Sequence, residues 1–246
     1  MFGNLGYADA SHFEGQGEVV EVPLEAVLAP YRGYDDTNNV EIVIHGNLPN
    51  TCYRVDSYKV ETGADKVLHI HQFAVKKNDG VCGEDNALPE HLKMISPFTN
   101  VASLGRLASG NYTYKYLDTE KKLSSRTFNV KEAHKTTVDD YPYAAVSNAM
   151  SLDVVKKGDP LHVTITGTYT NSCAYLDEDS FKIEKQDDVY VVLPILKMRT
   201  GMMCAQSLTP FSKNVDLGKV DKSGHYLIHV RSMNGKSAND IVEAVE

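Results

Sequence analysis

Short β-branched and aromatic segments, some alternating apolar and polar residues with a period of two, recur along most of this chain, and clusters of Gly, Pro, Asn and Asp break them at short intervals. Residues 40–45 (VEIVIH) are β-branched and end at Gly46-Asn47, with Pro49-Asn50 just beyond. Residues 56–61 and 66–75 read as two strands joined across Thr62-Gly63-Ala64-Asp65, which is hairpin chemistry. Residues 111–116 (NYTYKY) alternate strictly, and 126–130 close the set. The same order then recurs as 161–166, 180–185, 189–198, 214–217, 225–231 and 240–245. A leading strand is expected before each set, at 19–27 and 149–155. Only 90–95 hints at a helical turn.

The recurrence extends to the letters. VEIVIHGNLPNTC at 40–52 aligns without a gap on LHVTITGTYTNSC at 161–173, an offset of 121. Gly46 meets Gly167, Asn50 meets Asn171 and Cys52 meets Cys173. Further on, Ser96-Pro-Phe-Thr99 answers Thr209-Pro-Phe-Ser212, Leu104-Gly105 answers Leu217-Gly218, and Gly110-x-Tyr112 answers Gly224-x-Tyr226. A period this long signals two copies of a whole domain, each large enough to bury its own core. The expected division is an N-terminal segment 1–17, a first domain 18–131, a linker 132–144 and a second domain 145–246. About seven short strands in each copy argue a β-sandwich.

The four cysteines repeat too, as Cys52 and Cys82 in one copy and Cys173 and Cys204 in the other. A pairing that serves both copies lies within each, which predicts Cys52–Cys82 and Cys173–Cys204 disulfides. Closing a loop of about 30 residues stabilises a fold by roughly 3.5 kcal/mol on the chain-entropy argument. A four-Cys zinc site competes, but the C-x₂-C spacing is missing. Disulfides persist in oxidising compartments, so an extracytoplasmic protein is expected: periplasmic, on the cell surface or secreted. Met1 to Gly17 has neither a basic nor an apolar region, so it does not read as a signal peptide.

Gly110-Asn-Tyr112 and Gly224-His-Tyr226 each place a Tyr after a Gly turn at the start of an alternating strand. This resembles the tyrosine corner of immunoglobulin-like domains. Together with G-x-x-x-N-x-C, the later Cys, P-F and L-G, it is similar to the immunoglobulin-like modules of bacterial extracytoplasmic proteins and lipoproteins. The resemblance covers about 18–131 and 145–246 and implies two tandem immunoglobulin-like sandwiches that bind, space or scaffold. The chain departs from antibody domains in having no Trp and in placing its cysteines before the tyrosine strand.

Charge and motifs narrow the function. The formal charge is −8 with no Lys/Arg block, which speaks against nucleic acid or anionic lipid as a partner. No apolar run approaches the length of a membrane span. There is no G-x-S-x-G, P-loop or G-x-G-x-x-G, and His134, Asp139 and Ser147 are a set nothing singles out. A non-enzymatic module without a cofactor is expected, serving a cell-envelope or surface assembly and engaging a protein partner by sheet edge or loops. The stretch 83–96, with Glu84, Asp85, Glu90 and His91, is its expected recognition loop.

Two alternatives stand beside this. His69 and His71 lie two apart on a strand, the spacing of an H-x-H metal pair, which suits zinc or copper handling. They align with Val191 and Leu193, which argues instead for partly buried histidines of the sandwich. Met198, Met202, Met203 and Cys204 form a soft cluster that would suit Cu(I), if Cys204 were not in a disulfide. The run 177–179 offers carboxylates to calcium, but without the calcium-loop pattern. A carbohydrate-binding adhesin is the other alternative, with Tyr as its stacking platform in the absence of Trp. Tyr31, Tyr34, Tyr141 and Tyr143 sit in loops or the linker, and two readings stand for the linker tyrosines: packing between the two domains to fix their angle, or scattered surface residues.

Overall fold

In the computed structural model, residues 17–78, 81–82, 88–134 and 137–246 are described. Among them every regular element is a strand or a short 3-10 turn. None is a helix long and apolar enough to cross a membrane.

The first half of the chain supplies β1 (Gly17–Glu21), β2 (Ala26–Leu28), β3 (Tyr34–Asp35), β4 (Val40–Leu48), β5 (Tyr53–Thr62), β6 (Val67–Lys77), β7 (Ser96–Gly105), β8 (Gly110–Leu117) and β9 (Leu123–Lys131). The second half supplies β10 (Ala145–Met150), β11 (Val154–Lys156), β12 (Pro160–Asn171), β13 (Ala174–Tyr175), β14 (Phe181–Gln186), β15 (Val189–Pro194), β16 (Lys197–Met198), β17 (Gln206–Lys219), β18 (Gly224–Arg231) and β19 (Ser237–Val245). In the first half one sheet runs β2-β4-β7, and the other runs β1-β6-β8-β9-β3 with β5 also on β6. In the second half the sheets run β10-β12-β17 and β11-β19-β18-β15-β14, with β13-β16 as a small extra pair. The unusual pairings correspond as well. β6 lies parallel to β8 as β15 does to β18, and β3 parallel to β9 as β11 does to β19.

Each expected leading strand is in fact two strands that go to different sheets. Pro23 follows Val22 and has no N–H for a ladder, so β1 ends and β2 begins in the other sheet. At the second site, β10 and β11 part across a short irregular stretch after Met150. β7 went unforeseen because Pro97, Gly105 and small polar residues mask its alternation of Phe98, Ala102 and Leu104, which are buried. β17 runs to 14 residues, far beyond the expected 214–217. The turn expected in 90–95 is a 3-10 turn, Glu90–Leu92.

The repeated letters have structural causes. Asn50 Oδ1 accepts from Cys52 N at 2.9 Å, and Asn171 Oδ1 accepts from Cys173 N at 3.0 Å, so each N-x-C is an Asx turn that fixes its cysteine. The disulfides join Cys52 to Cys82 and Cys173 to Cys204, and among the described residues no cysteine is free. Gly46 and Gly167 are the sites on which Phe98 and Phe211 lie: Gly167 stands directly opposite Phe211 in the β12–β17 ladder. An aromatic ring laid over a strand glycine covers the surface that the missing side chain leaves.

The described residues divide into two compact units, residues 17–27, 41–105 and 110–129, and residues 28–40, 106–109 and 130–246. The stretch 132–144 thus goes with the second unit. The core of that unit includes Val163, Ile165, Tyr190, Val192, Ile228 and Val242, all fully or almost fully buried. Burying such side chains stabilises by about 1.5–3 kcal/mol each relative to exposure. In β15 and β18 both faces are covered, since Val189–Pro194 are all buried, as are residues 226–231. Residues on the non-core face of this sheet therefore have something packed over them.

Candidate functional site

Register fixes which side chains share that second face. Across the sheet, Glu184 pairs with Val191, Val191 with His229, and His229 with Asn239. One step along, Lys182 pairs with Leu193, and Arg231 pairs with Ser237. Successive residues of a strand point to opposite faces, so His229 and Arg231 look the same way.

Residues 30–34 lie over this face. Gln186 holds them like a strand neighbour: its Oε1 accepts from Arg32 N at 3.0 Å and its Nε2 donates to Arg32 O at 2.9 Å. The stretch 137–143 is fastened as well. Asp139 accepts from the backbone N of Asn234 (2.7 Å) and Gly235 (2.8 Å), Ala144 N donates to Pro194 O, and Tyr143 bridges to Ile195. Asp139 is thereby committed to the backbone rather than to a catalytic set.

Between these parts lies a cleft of about 520 Å³, every described lining residue of which belongs to the second unit. Among the described residues Arg32, Lys131, Lys182, Lys185 and Arg231 line it, against two carboxylates, Asp140 and Glu184. In a chain of net charge −8 this is a local reversal of sign. Lys182 is spent on Glu184 at 2.7 Å and Lys185 on Asp221 at 3.0 Å. Among the described residues no carboxylate forms an ion pair with Arg32, Lys131 or Arg231.

Arg231 is the unusual member. It is only 4% exposed, and its guanidinium carbon lies 5.9 Å from the ring centroids of both Tyr34 and Tyr143. Its Nη2 donates to Asn38 Oδ1 at 3.0 Å, and Asn38 in turn donates to Val138 O. A planar guanidinium flanked by two rings has a fixed direction for its remaining donors. Tyr143 remains a phenol at all ordinary pH, because burial pushes its pKa up to about 12 despite the opposing charge of Arg231.

His229 is 2% exposed and contacts Tyr34 edge to face at 5.9 Å. Burial, and next the Arg231 charge, lower its pKa to about 3, so the ring is neutral. Nδ1 lies 2.7 Å from Asn239 Oδ1, so the proton sits there and Nε2 is left as an acceptor. That Nε2 is buried and has no hydrogen-bond partner among the described residues. The cleft therefore combines cationic donors, a bare neutral acceptor and phenol rings.

The residues expected from sequence lie elsewhere. His69 and His71 sit on β6, on the face away from buried Leu68, Ile70 and Gln72, and are half-buried. His71 Nδ1 is 2.7 Å from Glu21 Oε1 and its ring stacks at 6.4 Å on Phe73. Among the described residues His69 and His71 join no group of three convergent metal ligands. Met202 and Met203 are exposed, Asp177 caps the 3-10 turn Glu178–Ser180, and Lys197 pairs with it. Glu90 and His91 are exposed on their 3-10 turn, with Glu90 paired to Lys93, while Glu84 and Asp85 lie outside the described residues.

The two tyrosines after the Gly turns are both buried. Tyr226 accepts from Lys222 N at 3.1 Å and has the Lys222 carbonyl at 3.1 Å and Asp221 Oδ1 at 2.9 Å within donating reach. Tyr112 stacks on Phe128 at 5.3 Å. Sequence reasoning missed the cleft, although one signal was present. His229 interrupts, and Arg231 ends, an otherwise apolar run, YLIHV, in a strand that also follows a Gly turn.

Residues 163–243 match the family model of the ORF11 beta-sandwich domain. No curated protein and no solved structure matches the chain. What the chain is similar to, over the stretch that carries β14, β15 and β18, is thus a β-sandwich domain.

Proposed function

We propose that this chain is a non-enzymatic binding module of the cell envelope or cell surface, made of two tandem immunoglobulin-like sandwiches, and that it recognises carbohydrate through the cleft of the second unit. The shared strand order of the two halves supports a duplication, and the paired disulfides support an extracytoplasmic setting. The observation that carries the binding reading is the cleft itself. Its 520 Å³ is the size of small-ligand sites, and it is lined by Tyr34, Tyr141 and Tyr143 together with donors and acceptors. Sugars present hydroxyls that both donate and accept, and apolar ring faces that pack on aromatic rings.

Docking of a protein partner along a sheet edge has less support. The edge strand β5 carries Arg54, Asp56, Lys59 and Glu61 and the edge strand β14 carries Lys182, Glu184 and Lys185, charges that oppose strand addition. A metal-handling role rests on His69 and His71, of which His71 is engaged with Glu21. Glycan-array screening of the oxidised chain, followed by saturation-transfer NMR on the hits, tests the proposal. Saccharide binding that Tyr141→Ala weakens is the expected result. A chain that binds no saccharide in either assay overturns it.

A further inference from the structure

The geometry points to a carboxylate-bearing sugar as the ligand of the cleft, with the Arg231 guanidinium as the carboxylate anchor and Arg32 and Lys131 as its rim. This rests on the carbohydrate reading above and names the class of sugar.

Three observations carry it. Arg231 is nine-tenths buried or more, and no carboxylate forms an ion pair with it among the described residues. A buried cation without a counter-charge is costly, and a ligand anion removes that cost. The guanidinium fork matches a carboxylate with two parallel N–H···O bonds, and the flanking Tyr34 and Tyr143 rings hold its plane. Arg32 and Lys131 stand at the same cleft, exposed and also without a carboxylate partner among the described residues.

The cleft also sets demands that an anion alone does not meet. His229 Nε2 is a buried acceptor that wants a donor, and Asp140 and Glu184 add acceptors to the lining. A sugar acid supplies one carboxylate for each acidic ring, together with several hydroxyl donors. An acidic peptide supplies mostly further carboxylates, which Asp140 and Glu184 repel. A long polyanion is disfavoured as well, because beyond about 8 Å the net −8 of the chain is what it meets, weakened by screening.

Isothermal titration of the oxidised chain tests this with digalacturonic acid, its dimethyl ester, 3′-sialyllactose, lactose and an oligoglutamate peptide. At least one of the two acids should bind about tenfold or more tightly than its uncharged counterpart, the ester or lactose. The two acids separate a hexuronic from a sialic source of the same carboxylate. Arg231→Lys should lose about tenfold for the acid, since the charge stays but the fork is gone, and circular dichroism checks that this variant folds. Lys131→Ala and Arg32→Ala alter exposed side chains, and each should weaken the acid several-fold, and by more than it weakens the neutral sugar. Equal affinity for acid and uncharged counterpart overturns the inference and leaves the carbohydrate reading standing. Oligoglutamate binding as tightly as the sugar acids overturns it in favour of a peptide. Failure of every saccharide overturns both readings.

Discussion

The glycines that recur in the two halves give a graded prediction, because the same substitution meets different surroundings. A Cβ added at Gly167 falls within the van der Waals envelope of the Ala145 carbonyl oxygen and 2.7 Å from Cζ of Phe211. The oxygen is backbone of a hydrogen-bonded strand, so relief requires β10 to shift against β12. At Gly46 the nearest atoms are the tip of the Phe98 ring at 3.0 Å and Pro23 O at 3.3 Å, which a few tenths of an ångström accommodate. Overpacking of this kind costs about 1–3 kcal/mol or somewhat more when backbone must move. Against it stands a gain of about 0.4–1 kcal/mol from the reduced freedom of the unfolded chain. Gly167→Ala should therefore destabilise by about 2–3 kcal/mol, and Gly46→Ala by no more than about 1 kcal/mol. With no Trp in the chain, urea unfolding followed by far-UV circular dichroism is the natural assay. With a slope of about 1–3 kcal/mol per molar urea, the Gly167→Ala midpoint should fall by about 0.7–3 M. A midpoint for Gly167→Ala that does not move, or an equal loss at Gly46, would refute the reasoning about close approach.

Two further outcomes follow from the second unit. His229 stays neutral in the fold down to about pH 3 but titrates near 6.5 when unfolded, so the unfolded chain takes up the proton first. Its contribution is complete above pH 6.5 and is lost as pH falls, about 2 kcal/mol by pH 5, and His229→Gln should flatten this slope in urea titrations from pH 7 to 5. The carboxyls of Asp118, Asp177 and Asp221, held down by their hydrogen-bond partners, act only below their ordinary value of 3.8 and leave that window clear. Asp139→Ala removes the acceptor for two backbone N–H groups and should cost about 1–2 kcal/mol, read as faster proteolysis between residues 137 and 143.

Much of the fold was legible because it is written in short-range signals. Alternation marked β8, β-branched and apolar runs bounded by turn residues marked β4 and β18, and the repeat itself selected the cysteine pairs that the disulfides join. The pattern could not reveal that the leading strands change sheets, since that depends on which ladder a residue such as Pro23 interrupts. The cleft was hidden for a different reason. Its parts come from residues 30–34, from Lys131 at the end of β9, from 140–143 and from β14, β15 and β18, and only register brings Glu184, Val191 and His229 into one row. His69 and His71 drew attention through proximity in sequence, whereas Arg231 owes its character to burial, which the letters do not display.

The central claim, that the cleft of the second unit receives a ligand, is tested most directly by mapping amide shifts of the ¹⁵N-labelled, oxidised chain during titration with a bound saccharide. The account predicts saturable shifts gathered at Arg32, Tyr34, Tyr141, His229 and Arg231, with residues of β5 and β6 unmoved. Shifts centred on His69 and His71 or on the 3-10 turn Glu90–Leu92, with the cleft silent, would contradict it.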